Sequence, residues 1–222
     1  MPDLKDILAA FAALVASFAG AWAAFALESR RRRNEEDERS VGSANRAIYT
    51  VYHQWNVLEQ YRKEVMEPYR GKPDAWLNLA ANPCTSEGDY KFDAAQLQFL
   101  LQHEKTDAYV SLMLEEQRFK LAIDLIKTRS ELVLNEVFPR MAAAGINIGQ
   151  PMFQQNVEQV LGIDVTHKLK ELTAAIYKNV DENLASLRTA HDVVRSTMKS
   201  LYPEKKFIEV QFQESAHDER VQ

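Results

Sequence analysis

One cysteine, Cys84, serves the whole chain of 222 residues. A lone cysteine closes no internal disulfide and builds no cysteine-based zinc site. Asn-x-Ser/Thr acceptors are missing as well, and both shortages fit a reducing compartment. Glycine and proline are scarce, with seven of each. Few breakers mean long uninterrupted elements, and in a chain that is 46% hydrophobic and 27% charged those elements are helices around a core. No phosphate-cradling glycine loop, nucleophile elbow or dinucleotide fingerprint occurs, so the common motif-bearing enzyme classes find no support.

Excess positive charge is missing from most of the chain. Asp3, Lys5 and Asp6 give residues 1–27 a charge of −1, and Glu28 with Arg30, Arg31, Arg32 and Arg33 gives residues 28–33 a charge of +3; the total of −5 then leaves −7 for residues 34–222. Nucleic-acid affinity rests on basic faces that meet phosphates, so no nucleic-acid partner is expected.

What is present begins with a run of 21 residues free of charge, Ile7 to Leu27. At about 1.5 Å per residue this spans roughly 30 Å, the thickness of bilayer hydrocarbon. It is too long for a secretory signal core, and its leading flank carries Asp3 and Asp6 against Lys5. The reading is a retained transmembrane helix. The four arginines at its end keep residues 28–222 on the cytoplasmic side of the inner membrane and the N-terminus outside. Arg30, Arg31, Arg32 and Arg33 also offer contacts to anionic lipid headgroups. Ten of the 21 residues are alanine, and two rows at four-residue spacing are entirely small: Ala9, Ala13, Ser17 and Ala21, and Ala12, Ala16, Gly20 and Ala24. Such rows let helix backbones approach closely. Ile7, Phe11, Leu14, Phe18, Trp22 and Phe25 lie mainly elsewhere.

Beyond a charged segment, Val41, Ala44, Ile48, Val51, Trp55, Leu58, Arg62, Val65 and Tyr69 alternate steps of three and four, which is a heptad seam ended by Pro68. Residues 68–92 break the pattern with three prolines and two glycines. Asp93 and Gln96 read as a capping box for a helix reaching Glu104. A long helix follows from Thr106. Leu112, Phe119, Ile123, Ile126, Val133 and Val137 form its apolar face, Pro139 should kink it and Gly145 should end it. A short helix spans 151–162. The last, from about Asp164 to Leu201, carries Val165, Leu169, Leu172, Ile176, Val180, Leu184, Leu187, His191, Val194, Met198 and Leu201. Finally, Phe207 to Gln213 alternates with period two, placing Ile208, Val210 and Phe212 on one face of a short strand.

The expected fold is therefore all-α: a single N-terminal transmembrane helix, then an antiparallel helical bundle with long coiled-coil-like helices and a short C-terminal β-like strand. The expected divisions are an outer tail 1–6, a span 7–27, a charged juxtamembrane segment 28–40, a bundle 41–203 and an extended tail 204–222.

Chemistry is hard to place. Glu214 with His217 and Asp164 with His167 are the nearest approaches to a di-iron pattern, and neither lies mid-helix on a core face. No metal, cofactor or catalytic residue is expected. The expected function is a membrane-anchored interaction or scaffold protein without catalysis of its own. Its partners would be membrane lipids and a protein or second copy, held through the small-residue rows and a docking strand of Phe207, Ile208, Val210 and Phe212. One alternative is a sensor or effector whose head couples ligand binding to helix association. Another is a tethered enzyme with a site in the 68–92 loop, where Arg70, Lys72, Trp76 and Tyr90 supply charge and stacking surfaces.

Overall fold

Fifty-eight consecutive residues, α1 (Leu4–Tyr61), form one helix in the computed structural model. At about 1.5 Å per residue it is roughly 87 Å long. The structure describes residues 4–82, 90–146 and 154–212; for residues 4–10, 12 and 154–156 it describes the backbone alone. After α1 come α2 (Ala75–Asn78), α3 (Gln98–Gln102), α4 (Thr106–Leu132), α5 (Phe138–Ala143), α6 (Gln154–Leu161) and α7 (Ile163–Leu201).

Helix α7 is the centre of the bundle and runs antiparallel to both long neighbours. Against α1, Glu38 meets Lys205 just past the end of α7, the Arg188 guanidinium lies 5.2 Å over the Trp55 ring, and the Tyr177 hydroxyl donates to the Met66 carbonyl at 2.9 Å. Against α4, the Ser186 hydroxyl donates to Glu115 at 2.6 Å, Asn183 donates to the Arg118 carbonyl at 3.2 Å, and Arg129 donates to Thr173 at 2.9 Å. In both series one residue number falls as the other rises, so each register holds over most of the helix length.

The seams read from the sequence face inward. Val41, Ala44, Ile48, Val51, Trp55 and Leu58 of α1 are buried with Leu112, Phe119 and Ile126 of α4 and Ile176, Val180, Leu187 and Val194 of α7. A second cluster closes the far end, where Trp76, Leu132, Val137, Met141, Val157, Leu161 and Leu169 pack together. Gly145 and Gly162 end their helices with φ of 71° and 81°, a conformation open to glycine without a Cβ clash.

Both prolines that interrupt long helices follow a widened turn. A π turn covers Arg62–Met66 ahead of Pro68, and another covers Val133–Val137 ahead of Pro139. A proline ring crowds the carbonyl four residues earlier and leaves it without a donor. Those carbonyls belong to Glu64 and Asn135, inside the two π turns, where i to i+5 bonding re-routes the ladder. The chain then continues helically as α5 instead of ending at Pro139.

Two expectations fail. Among the described residues no helix is long and apolar enough to cross a membrane. This overturns the transmembrane helix at 7–27, and with it the single-pass inner-membrane placement with an outer N-terminus and a cytoplasmic head. The side chains of residues 7–10 and 12 lie outside the described residues; from Phe11 onward the run is diluted by alanines, Ser17 and Gly20, and closes at Glu28. The C-terminal strand also fails. Residues 207–212 adopt no regular structure, and no strand occurs among the described residues. An extended segment needs a second strand to become a sheet, and here it meets helices. Gln213 lies outside the described residues.

Three charged side chains are buried, Glu59, Glu115 and Arg129, and the deepest of them is an arginine that hydropathy patterning does not announce. Arg129 is 1% exposed. Its Nε donates to Thr173 Oγ1 at 2.9 Å and its Nη2 to the Trp76 carbonyl at 3.0 Å. Burial lowers its pKa to about 10, partly opposed by Tyr61 and Tyr177. A base whose folded pKa lies below its unfolded value costs stability at every pH below about 10, and that cost eases only as pH rises through this value. The fork nevertheless ties α2, α4 and α7 together. Arg129→Lys, which loses the fork and keeps the charge, should destabilise by about 2 kcal/mol or more, whereas Arg129→Met should stay within about 1 kcal/mol of the parent in urea unfolding. The reverse ranking would sink this account.

Candidate interaction surface

The first buried residue of α1 among those described is Val41; from residue 13 to residue 36 every side chain but the half-exposed Ala26 is exposed. The helix therefore extends beyond the bundle as an arm. Five bulky residues line it: Phe11, Leu14, Phe18, Trp22 and Phe25, between 62% and 76% exposed. Their steps of three, four, four and three place them on one stripe of an α-helix. The small residues Ala13, Ala16, Ser17, Gly20, Ala21 and Ala24 take other faces and are also exposed, and a Cβ at Gly20 would meet nothing within 4 Å. Ala9 and Ala12 have side chains outside the described residues. The described members of the small rows are thus all exposed.

A charged collar joins arm to bundle. Arg31 pairs with Glu35 at 2.9 Å and Arg32 with Glu28 at 3.0 Å, each one helical turn apart. Pairs this exposed contribute only a few tenths of a kcal/mol each, but they hold the helix through a stretch with no tertiary support. Arg30, Arg31, Arg32 and Arg33 are all exposed.

At the root of the arm the chain's own C-terminal segment lies in the groove between α1 and α7. Lys205 bonds Glu38, the Ile208 amide donates to Asn45 Oδ1 at 2.9 Å, and the Phe212 ring sits 6.0 Å from Tyr52 and 5.1 Å from Trp55. The segment advances along α1 from residue 38 to residue 55. Seven extended residues cover about 23 Å, and 17 helical residues about 26 Å, so an extended chain fits the helix it follows. From the α7 side, Arg195 bonds Glu209 and the His191 ring stands edge-on to Phe212 at 4.9 Å. Phe207, Val210 and Phe212 pack against the core while Ile208 stays 39% exposed. Of the period-two face expected for Ile208, Val210 and Phe212, the last two pack against the bundle, joined by Phe207 from the other parity, while Ile208 does not.

The connection at 68–92 does not gather its candidate residues. Arg70 grips Asp181 with two bonds of 3.0 Å and also pairs with Glu67. The bonded Asp181 carboxylate raises the Arg70 pKa, and burial raises that of Tyr177, whose ring lies 5.1 Å beneath the guanidinium. Lys72 stands 5.5 Å over Tyr69. Trp76 is buried in the far cluster with Lys170 4.9 Å over its ring. Tyr90 packs against the main cluster, stacked on His53 at 4.9 Å and tilted against Phe119 at 5.1 Å. Cys84 lies outside the described residues. Two open hollows flank α1. One of about 380 Å³ lies beside Arg46, Tyr49, Phe92 and Gln96; the other, about 430 Å³, lies between Trp55, Glu59, Lys63 and Gln211. Both are mixed in chemistry, and neither gathers nucleophile, base and oxyanion donors. Among the described residues no group of three metal-binding side chains comes together.

His191 and Arg62, the two polar positions on the seams, behave differently. His191 is 4% exposed and shares Nδ1 with Asp192 Oδ1 at 2.9 Å. Arg62 reaches the surface and bonds Glu59 at 2.8 Å. Sequence reasoning did not find Arg129, the Glu115–Ser186 contact or the Phe212 clasp. Only the last left a trace in the sequence, as an apolar alternation in a polar tail.

No protein-family model, curated protein or solved structure matches the chain. The geometry of the arm and its root is thus the available guide to function.

The clasp predicts a spectroscopic effect. Trp55 is 3% exposed beneath Phe212 and Arg188, whereas Trp22 is already 74% exposed. Phe212→Ala should red-shift the Trp55 emission, read in a Trp22→Phe background, and speed proteolysis within residues 203–212, while the bundle keeps its helical circular dichroism. An unchanged spectrum would mean that the segment does not cover Trp55 in solution.

Proposed function

We propose that the chain is an interaction protein without catalysis of its own, in which the bundle is a base and the arm is the part offered to a protein partner. The observation that supports this most is the aromatic stripe. Exposed apolar side chains scattered singly are ordinary, whereas a contiguous patch of this size marks a contact site. Aromatic residues contribute most to such contacts because they bury much area at low conformational cost. The ion pairs that occupy Arg70 and the burial of Trp76 favour a structural role for the 68–92 connection over a substrate site.

Photo-crosslinking in the producing cells tests this reading. Benzoylphenylalanine in place of Phe18 or Trp22 should give one discrete protein adduct on irradiation, and the same label in place of Lys120, far from the arm on α4, should not. Absence of any protein adduct from both stripe positions would overturn the reading.

A further inference from the structure

The stripe has an internal symmetry that bears on what covers it. Its steps of three, four, four and three read the same from either end, with Phe18 at the middle. Phe11 mirrors Phe25, and Leu14 mirrors Trp22. Outside the stripe two acidic positions mirror arginines, Asp6 with Arg30 and Asp3 with Arg33, against one like-charged couple, Lys5 with Arg31. A surface of this kind complements itself when one copy is reversed. That is the requirement of a two-fold interface, where residue i meets residue j and j meets i.

We propose that two copies of the chain pair antiparallel through their arms, about a two-fold axis at Phe18. This rests on the reading of the arm as a protein-docking element. In this register Phe11 of each copy faces Phe25 of the other, Leu14 faces Trp22, and position 6 faces position 30. The parallel alternative sets Arg30, Arg31, Arg32 and Arg33 against their own copies, and like charges oppose association.

Length and area agree with the pairing. From Phe18 to Val41, where α1 enters the bundle, is 23 residues or about 35 Å; from Phe18 back to Leu4 is 14 residues or about 21 Å. Leu4 of each arm therefore lies about 14 Å from the level at which α1 enters the other copy's bundle, so the helices described pair without the bundles colliding. Aromatic side chains bury roughly 150–250 Å² each. With about three quarters of that exposed, four of them offer roughly 450–750 Å² per arm, most of the roughly 800 Å² per partner found in stable interfaces. Leu14 and Val15, each at least 50% exposed, add to it from the same side of the helix.

The experiment uses the full chain with Cys84→Ser. Phe11→Cys and Phe25→Cys proteins are mixed under mild oxidation, and light scattering gives the mass of each. The expected result is a dimer mass and an 11–25 disulfide in the mixture, with neither 11–11 nor 25–25 species. Phe18→Glu, which sets two carboxylates at the axis, should raise the dimer dissociation constant at least tenfold without moving the bundle's thermal transition. Homodisulfides at 11–11 and 25–25 would overturn the antiparallel pairing in favour of a parallel one. A monomer at every concentration would overturn self-pairing: discrete photo-adducts of another mass then leave the arm as a docking element for a different protein, and flotation of the monomer with phosphatidylserine vesicles assigns the stripe to a lipid surface.

Discussion

An α-helix has no joint unless the sequence supplies one, and α1 is unbroken from Leu4 to Tyr61. The same backbone ladder that lines the core at Ile48, Val51 and Leu58 carries the aromatic stripe beyond the bundle. Whatever the arm meets is mechanically connected to the packing of α1 against α7. The structure invests in that junction. Glu38, Asn45, Tyr52 and Trp55 are each engaged by residues that follow α7, so the segment next to the arm is gripped on two sides.

The bundle was legible because its helices are long and their seams regular. Val41 through Leu58 and, but for His191, Val165 through Met198 repeat an apolar residue every three or four positions, and burial of such a stripe is what stabilises a helix in a small protein. The breakers were legible for a related reason, since Pro68, Gly145 and Gly162 act locally through φ and a missing donor. The π turns before Pro68 and Pro139 were not. A lost hydrogen bond predicts a disturbance, but its form depends on whether neighbours such as Val65, Val133 and Val137 keep their core contacts.

The misreadings share a cause. The uncharged run and the alternating tail were each assigned the partner that their pattern most often finds, a bilayer for the first and a strand for the second. Pattern reports which side chains want cover; it does not report what provides it. Phe212 found its cover on Trp55 and His191 of the same chain. Arg129 shows the converse case. An arginine among polar helix residues reads as surface; the backbone carbonyl of Trp76, brought in from a segment 53 residues away in sequence, and the Thr173 hydroxyl make an interior position tolerable.

The grip of the tail on α1 joins residues 167 positions apart. During synthesis α1 emerges first, while α7, which covers most of its apolar seam, and the tail emerge last. The seam, including Ile48, Val51 and Trp55, must therefore wait nearly the whole translation time for its cover, a long interval in which exposed apolar surface invites premature association. The collar of glutamates and arginines at residues 28–39 sits between the two apolar stretches during that interval, and its density of charge keeps the newborn helix from presenting one continuous sticky face.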